Sequence, residues 1–334
     1  IWGTLYSTVN IPYGSMASVI TADPVERTTL STWRTMGATL AGLIINVLGP
    51  IIVFVDNKID ADRMFMTACI FGVLAMACYI GCYKLSTERI EAPVKEVKKG
   101  DFLRSMKSLV TNKPFLWVLS ASLLTMLTSF IAMAVNTYLF KDYFGNAAAL
   151  SIIGLVQTAI TLSVVPLVKP LVAKFGKKEI SVAGMGFASV IYIVLYFLKF
   201  TTTTPFIVLV ALAMAGMCFY SIVTWAFISD VIDYHEYLTN LREDATVYSI
   251  VSMSRKVGQA VAGGIGGVAI SMVGYDATLG TQPQEVLDGI YMLGTLVPGI
   301  LYAIIAVLLF MYPLNKQKTI QLSKDLEAKR NAKA

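Results

Sequence analysis

The sequence predicts an all-α polytopic membrane protein, and three observations carry that reading. The chain is 56% hydrophobic and only 14% charged over 334 residues, with a mean hydropathy of +0.68. Its charges gather in short segments that separate apolar stretches of about 20 residues or more, the length a helix needs to cross a hydrocarbon core. Those stretches are also too long and too evenly apolar for the alternating strands of a transmembrane barrel, so their backbone polar groups have to be satisfied within helices.

Nine spans are expected, at 1–20, 28–55, 63–84, 114–140, 147–173, 180–200, 205–232, 246–274 and 287–312. The second has the clearest start. In "TADPVERTTLSTWR", Asp23 suits the N-cap, Pro24 the first helical position, and Glu26 completes a capping-box-like pattern. The third span ends at Lys84 and opens into the one substantial linker. Within it, "VKEVKKGDFLRSMKSL" reads either as a surface-lying amphipathic helix or as a solvated connector, and anionic lipid headgroups suit both. The expected organisation is 1–84, the remainder of an N-terminal six-helix bundle; 85–113, a cytoplasmic linker; 114–313, a C-terminal six-helix bundle; and 314–334, a cytoplasmic tail. Matching halves would put three further spans ahead of Ile1, making this nine helices of a twelve-helix parent. In the eighth span Gly263 and Gly267 stand at GxxxG spacing, which predicts close helix packing there or, alternatively, a mobile helix. Cys69, Cys78, Cys82 and Cys218 all fall inside spans and are expected to pack rather than bind metal or form disulfides.

Orientation follows from the cations. Of the 27 Lys and Arg, 20 lie in one alternate set of connecting segments and the tail, only four (Lys58, Arg63, Lys141 and Lys199) in the other set, and three inside spans. Positive loops stay on the cytoplasmic side, so a multi-pass cell-membrane protein with a cytoplasmic C-terminus is expected.

Arg34, Arg255 and Lys256 are the three cations deep inside spans; Arg63, Lys84, Lys169 and Lys199 lie near span ends and count with the connecting segments. Arg34 lies ten residues beyond Pro24, about 15 Å along the helix and so near the midplane of a core about 30 Å thick. Asn10, Gln157, Trp225 and Lys256 come out at similar depth when counted from their own helix ends. One layer of polar side chains is thus expected, reading as a polar cavity; the alternatives are an internal ion pair that locks helices, or hydrogen-bond glue for Asn10 and Gln157.

In "SDVIDYHEYLTNLRED", Asp230, Asp233 and Glu236 recur every third residue and form a stripe on one helical face, with Arg242 beyond it. The stripe ends its span on the same side as Asp23, Glu26 and Arg27. A cytoplasmic gate is expected in which Arg27 pairs with the stripe and Arg242 with its own side or the opposite loop; ordinary solvated helix-end charge is the alternative. His235, beside the stripe, is expected to have a surface or hydrogen-bonding role rather than to relay protons.

"AKFGKKE" lacks the GxxxxGK[ST] pattern, so direct ATP-driven chemistry is not expected. Neither are catalytic residues, a bound metal, a tightly bound cofactor or a nucleic-acid partner.

"WAFISDVIDYHEYLTNLREDATVYSIVSMSRKVGQA" and "NIPYGSMASVITADPVERTTLSTWR" resemble helices ten to eleven and four to five of the glycoside-pentoside-hexuronide:cation symporters, the melibiose permease-like branch of the major facilitator superfamily. The likeness covers the chain as helices four to twelve. It implies sugar:cation symport by alternating access around a midplane site, with a sugar substrate, membrane lipids and a coupling cation (Na⁺, Li⁺ or H⁺) as partners. It also implies a cation site mostly on helices that would precede this chain. Arg34 matches an arginine that contacts sugar hydroxyls, Lys256 a lysine near the sugar and cation sites, and Ser252 a sugar-touching threonine. Asn10 stands where a sugar-binding aspartate is found, which removes a negative charge. Uronides and neutral pentosides therefore rank above α-galactosides. The rival readings are a facilitator for a lipid-like or drug-like solute, disfavoured by Arg34 and Lys256, and a membrane sensor that binds without translocating.

Overall fold

The computed structural model describes residues 2–21, 23–55, 58–59, 61–90, 109, 112–146, 149–239, 242, 244–276, 278–279 and 281–331. Most of the expected linker lies outside the described residues. Helix α1 is Trp2–Ile20 and α2 is Pro24–Val53. The Val25 amide donates to Asp23 Oδ1 at 2.8 Å, which makes Asp23 the cap read from the sequence. A small antiparallel ladder of β1 (Phe54–Val55) and β2 (Lys58–Ile59) precedes α3, Ala61–Leu85. Helix α4, Lys113–Tyr138, starts from an Asn112 cap with Pro114 in its first turn and ends in a π-helical turn, Leu139–Tyr143. Then come α5 (Ala149–Phe175), α6 (Lys177–Leu198), α7 (Thr203–Thr239) and α8 (Asp244–Met272).

The last expected span is two helices, α9 (Gln284–Gly294) and α10 (Leu296–Met311), broken at Thr295. The tail forms a further helix, α11, Lys316–Asn331, which packs on α7 and α2.

Among the described residues, each expected span lies on helix over most of its length. By length and composition, six described helical segments are apolar enough to cross a membrane, and α1, α2 and α8 are not among them.

Packing is densest where α6 meets α7 and α10. A Cβ on Gly184 would collide with the Gly216 carbonyl, and one on Gly216 would come within 2.5 Å of Gly184 O, so two backbones meet there with no side chain between them. The expected glycine seam needs correction. Gly267 faces open space, whereas a Cβ on Gly266 would sit 2.7 Å from Ala134 and one on Gly258 3.3 Å from Leu123. With Ala262 fully buried between them, Gly258, Ala262 and Gly266 form a small-residue stripe at four-residue spacing that lets α8 approach α4. Helix α3 is exposed along most of its length, with Phe65, Val73 and Tyr83 turned outward, as an apolar solvent permits.

Candidate functional site

Two charged layers are built on the same helices. In the first, Arg34 of α2 and Arg255 of α8 both face the indole of Trp225 on α7, with guanidinium carbons 3.8 Å and 5.3 Å from the ring centroid. Tyr13 of α1 has its ring centroid 4.8 Å from the Arg34 carbon. Arg34 Nη2 donates to Asn10 Oδ1 at 3.4 Å. Trp225 in turn stacks on Tyr248, the planes 9° apart. Aromatic faces attract guanidinium groups while leaving their in-plane N–H donors directed outward. They line a cavity of about 410 Å³ together with Ser122, Thr125 and Thr224, with Ser122 and Tyr220 oxygens 3.4 Å apart. That volume is typical of a small-molecule site.

The expected site residues divide. Asn10, Arg34 and Trp225 come together as read. Ser252 and Lys256 line a second cavity of about 520 Å³, beside Ile11 and Ser249. Gln157 is exposed and lines neither cavity. Adjacent residues on a helix point about 100° apart, so Arg255 and Lys256 cannot share a face, and it is Arg255 that joins Arg34. The sequence signal for Arg255 was its place among the three cations inside spans, but nothing in the local pattern ranks it above Lys256.

The second layer lies at the Lys/Arg-rich end. Arg27 of α2, 1% exposed, pairs through Nη1 with Asp233 of α7. Its Nη2 reaches the other carboxylate oxygen at 3.4 Å, and its Nε donates to Thr21 O at 2.8 Å. Arg242 donates to Asp233 at 3.2 Å, Glu236 at 2.7 Å and Asp244 at 3.1 Å. Arg330 of α11 closes the network onto Glu236 at 2.6 Å and 3.1 Å. Burial alone would lower the Arg242 pKa, but Asp244, Asp233 and Glu236 outweigh it and raise it above the ordinary guanidinium value, so Arg242 stays charged. Three arginines and three carboxylates balance.

Three expected gate residues sit otherwise. Asp230 pairs with Lys177 of α6 at 2.6 Å, both side chains buried, so it belongs to an α6–α7 tie rather than to the contact with α2. Asp23 caps α2, and Glu26 accepts from Thr21 Oγ1 at 2.6 Å; both are exposed and neither meets the stripe. Of the surface or hydrogen-bonding role expected for His235, the surface half does not hold, because the side chain is buried. Arg27, Asp233, Glu236 and Arg242 do converge.

The sequence profile described as "MFS/sugar transport protein" matches residues 1–316. The chain belongs to this family. Family relatives include the uncharacterized symporter YjmB of Bacillus subtilis, 31% identical over 98% of this chain and 71% of its own length. The isoprimeverose transporter of Lactiplantibacillus pentosus is 30% identical, with 97% and 68% covered, and the glucuronide carrier protein homolog of Escherichia coli is 28% identical, with 95% and 69% covered. In fold the chain is similar to the E. coli fucose:proton symporter, with a TM-score of 0.61 at 16% identity, covering 91% of this chain and 73% of that one. The protein is thus a multi-pass major facilitator of the sugar-transport type. These relatives are transporters, not enzymes.

Proposed function

We propose that the protein transports a glycoside, pentoside or uronide together with a coupling cation, by alternating access. The observation that carries this reading is the spacing of two arginines on one helix. Arg34 faces the cavity and Arg27 holds the gate, seven residues and two turns apart, about 10 Å along the same face of α2. Asp233 and Trp225, their partners, lie eight residues apart on α7. Any tilt of α2 against α7 that breaks the ion pair therefore also reshapes the cavity, which is what coupling a gate to a site requires. In this reading Arg34, Asn10 and Trp225 hold the sugar, Ser252 and Lys256 border it from the second cavity, and the Lys/Arg-rich end faces the cytoplasm. The names of the isoprimeverose and glucuronide relatives support a sugar substrate.

The test is counterflow in liposomes with a panel of labelled glycosides under imposed Na⁺ or proton gradients. Internal sugar should accelerate uptake of at least one member, and a cation gradient should drive its accumulation. No counterflow with any sugar would end the transport reading; counterflow indifferent to every cation gradient would leave a facilitator.

A further inference from the structure

We infer that Tyr248 is the inner seal of the cavity, an aromatic plug seated on Gly14 that closes the way from the site to the Lys/Arg-rich gate and has to leave its seat for that end to open. This rests on the alternating-access reading and assigns one of its moving contacts. Tyr248 of α8 is 2% exposed. A Cβ added to Gly14 of α1 would lie 2.8 Å from Tyr248 Cδ1 and 3.1 Å from its Cε1, so the ring rests directly on the α1 backbone. Gly14 is itself buried. Helix α1 precedes the linker and α8 follows it, yet α1 packs more extensively on α8 than on its chain neighbour α2. The ring is wedged between the two parts of the chain that alternating access separates.

Both helices place this contact between the site and the gate. On α1, Gly14 follows Asn10, which accepts from Arg34 at the site, and precedes Thr21, whose carbonyl accepts from Arg27 at the gate. On α8, Tyr248 follows Asp244, which accepts from Arg242 at the gate, and precedes Arg255, which faces Trp225 at the site. The intermediate position on α7, between Trp225 and Asp233, is the small, fully buried Ser229. Tyr248 also stacks on Trp225, with ring centroids 5.9 Å and planes 9° apart, a separation at which aromatic pairs attract. Trp225 lines the cavity. A ligand that moves the indole therefore disturbs the seat of the plug, so occupancy of the site and opening of the gate share one aromatic pair.

The experiment reads alkylation of Thr35→Cys, a cavity-lining position, in the full-length protein without its native cysteines and without any sugar. A membrane-impermeant maleimide is applied to inside-out and to right-side-out membrane vesicles, so that each face is tested separately. From the Lys/Arg-rich face, Tyr248→Ala should raise the alkylation rate about tenfold and Gly14→Ala severalfold, while Tyr248→Phe, which keeps the ring, stays within about twofold of the parent. From the opposite face no variant should raise it. Adding Gly14→Ala to Tyr248→Ala should add little, because the three nearest neighbours of the new methyl group are all atoms of that ring. If Tyr248→Ala does not fold, Gly14→Ala and Tyr248→Phe decide the question by themselves. Unchanged rates in Gly14→Ala, a rise in Tyr248→Phe as large as in Gly14→Ala, equal rises from both faces, or additive effects overturn the seal and leave sugar transport standing. Absence of counterflow with every sugar ends the transport reading and leaves these rates as they are.

Discussion

At the scale of single residues, the site turns on planar groups rather than on charge alone. The Arg34 guanidinium carbon lies 4.8 Å and 3.8 Å from the ring centroids of Tyr13 and Trp225, and a planar guanidinium can face aromatic rings and still donate from its edge. Arg34→Lys keeps the charge and loses the fork, so substrate affinity should fall tenfold or more in a binding titration; an unchanged affinity would remove Arg34 from the site. Asn10→Asp places a carboxylate 3.4 Å from Arg34, where the amide oxygen now sits. It would set a negative charge against Arg34 and repel an acidic ligand. Competition by a glucuronide should weaken by about tenfold, or 1.4 kcal/mol, relative to the matching glucoside; an equal effect on both sugars would leave Asn10 as a plain hydrogen-bonding residue.

Between elements, glycines decide how close helices come. Gly216 meets the Gly184 backbone with no space for a methyl group, so Gly216→Ala must push α6 and α7 apart at a typical overpacking cost of about 1–3 kcal/mol. Gly267 has open space around its Cβ position, and Gly267→Ala should be neutral or stabilising by up to about 1 kcal/mol through helix propensity. Thermal melts of the two variants in detergent should differ in sign or clearly in size; equal melts would show that the contact between Gly184 and Gly216 is not a tight one.

For the whole molecule, the two buried aspartates of α7 should behave differently despite being one turn apart. Asp233 binds Arg27 across from α2, so Asp233→Asn or Arg27→Gln should loosen the Lys/Arg-rich end. Alkylation of Thr35→Cys from that side, in a background without the native cysteines, should rise severalfold. Asp230 binds Lys177, and Asp230→Asn strands a buried ammonium; it should cost about 3–5 kcal/mol of stability without raising alkylation. Similar alkylation in both aspartate variants would refute the division of labour. Arg330 brings the tail helix into the same network through Glu236, so Arg330→Glu should act in the direction of Arg27→Gln but more weakly, because its side chain is 29% exposed whereas that of Arg27 is 1% exposed.

Apolar run lengths determined the helices and their order, because a backbone in hydrocarbon has one local way to satisfy its hydrogen bonds. The Asp23 cap and the stripe of Asp233 and Glu236 were legible for the same reason: each is a matter of spacing along one helix. What neighbouring helices present to each other was not. Arg255 rather than Lys256 joins Arg34, Lys177 takes Asp230 from a position 53 residues away, and Gly258 and Gly266 rather than Gly267 form the seam. Each of these depends on how a helix is rotated about its own axis, where one residue changes the direction by about 100°. Hydropathy in a span that is apolar on most sides hardly constrains that angle, so only the packing of the other helices set it.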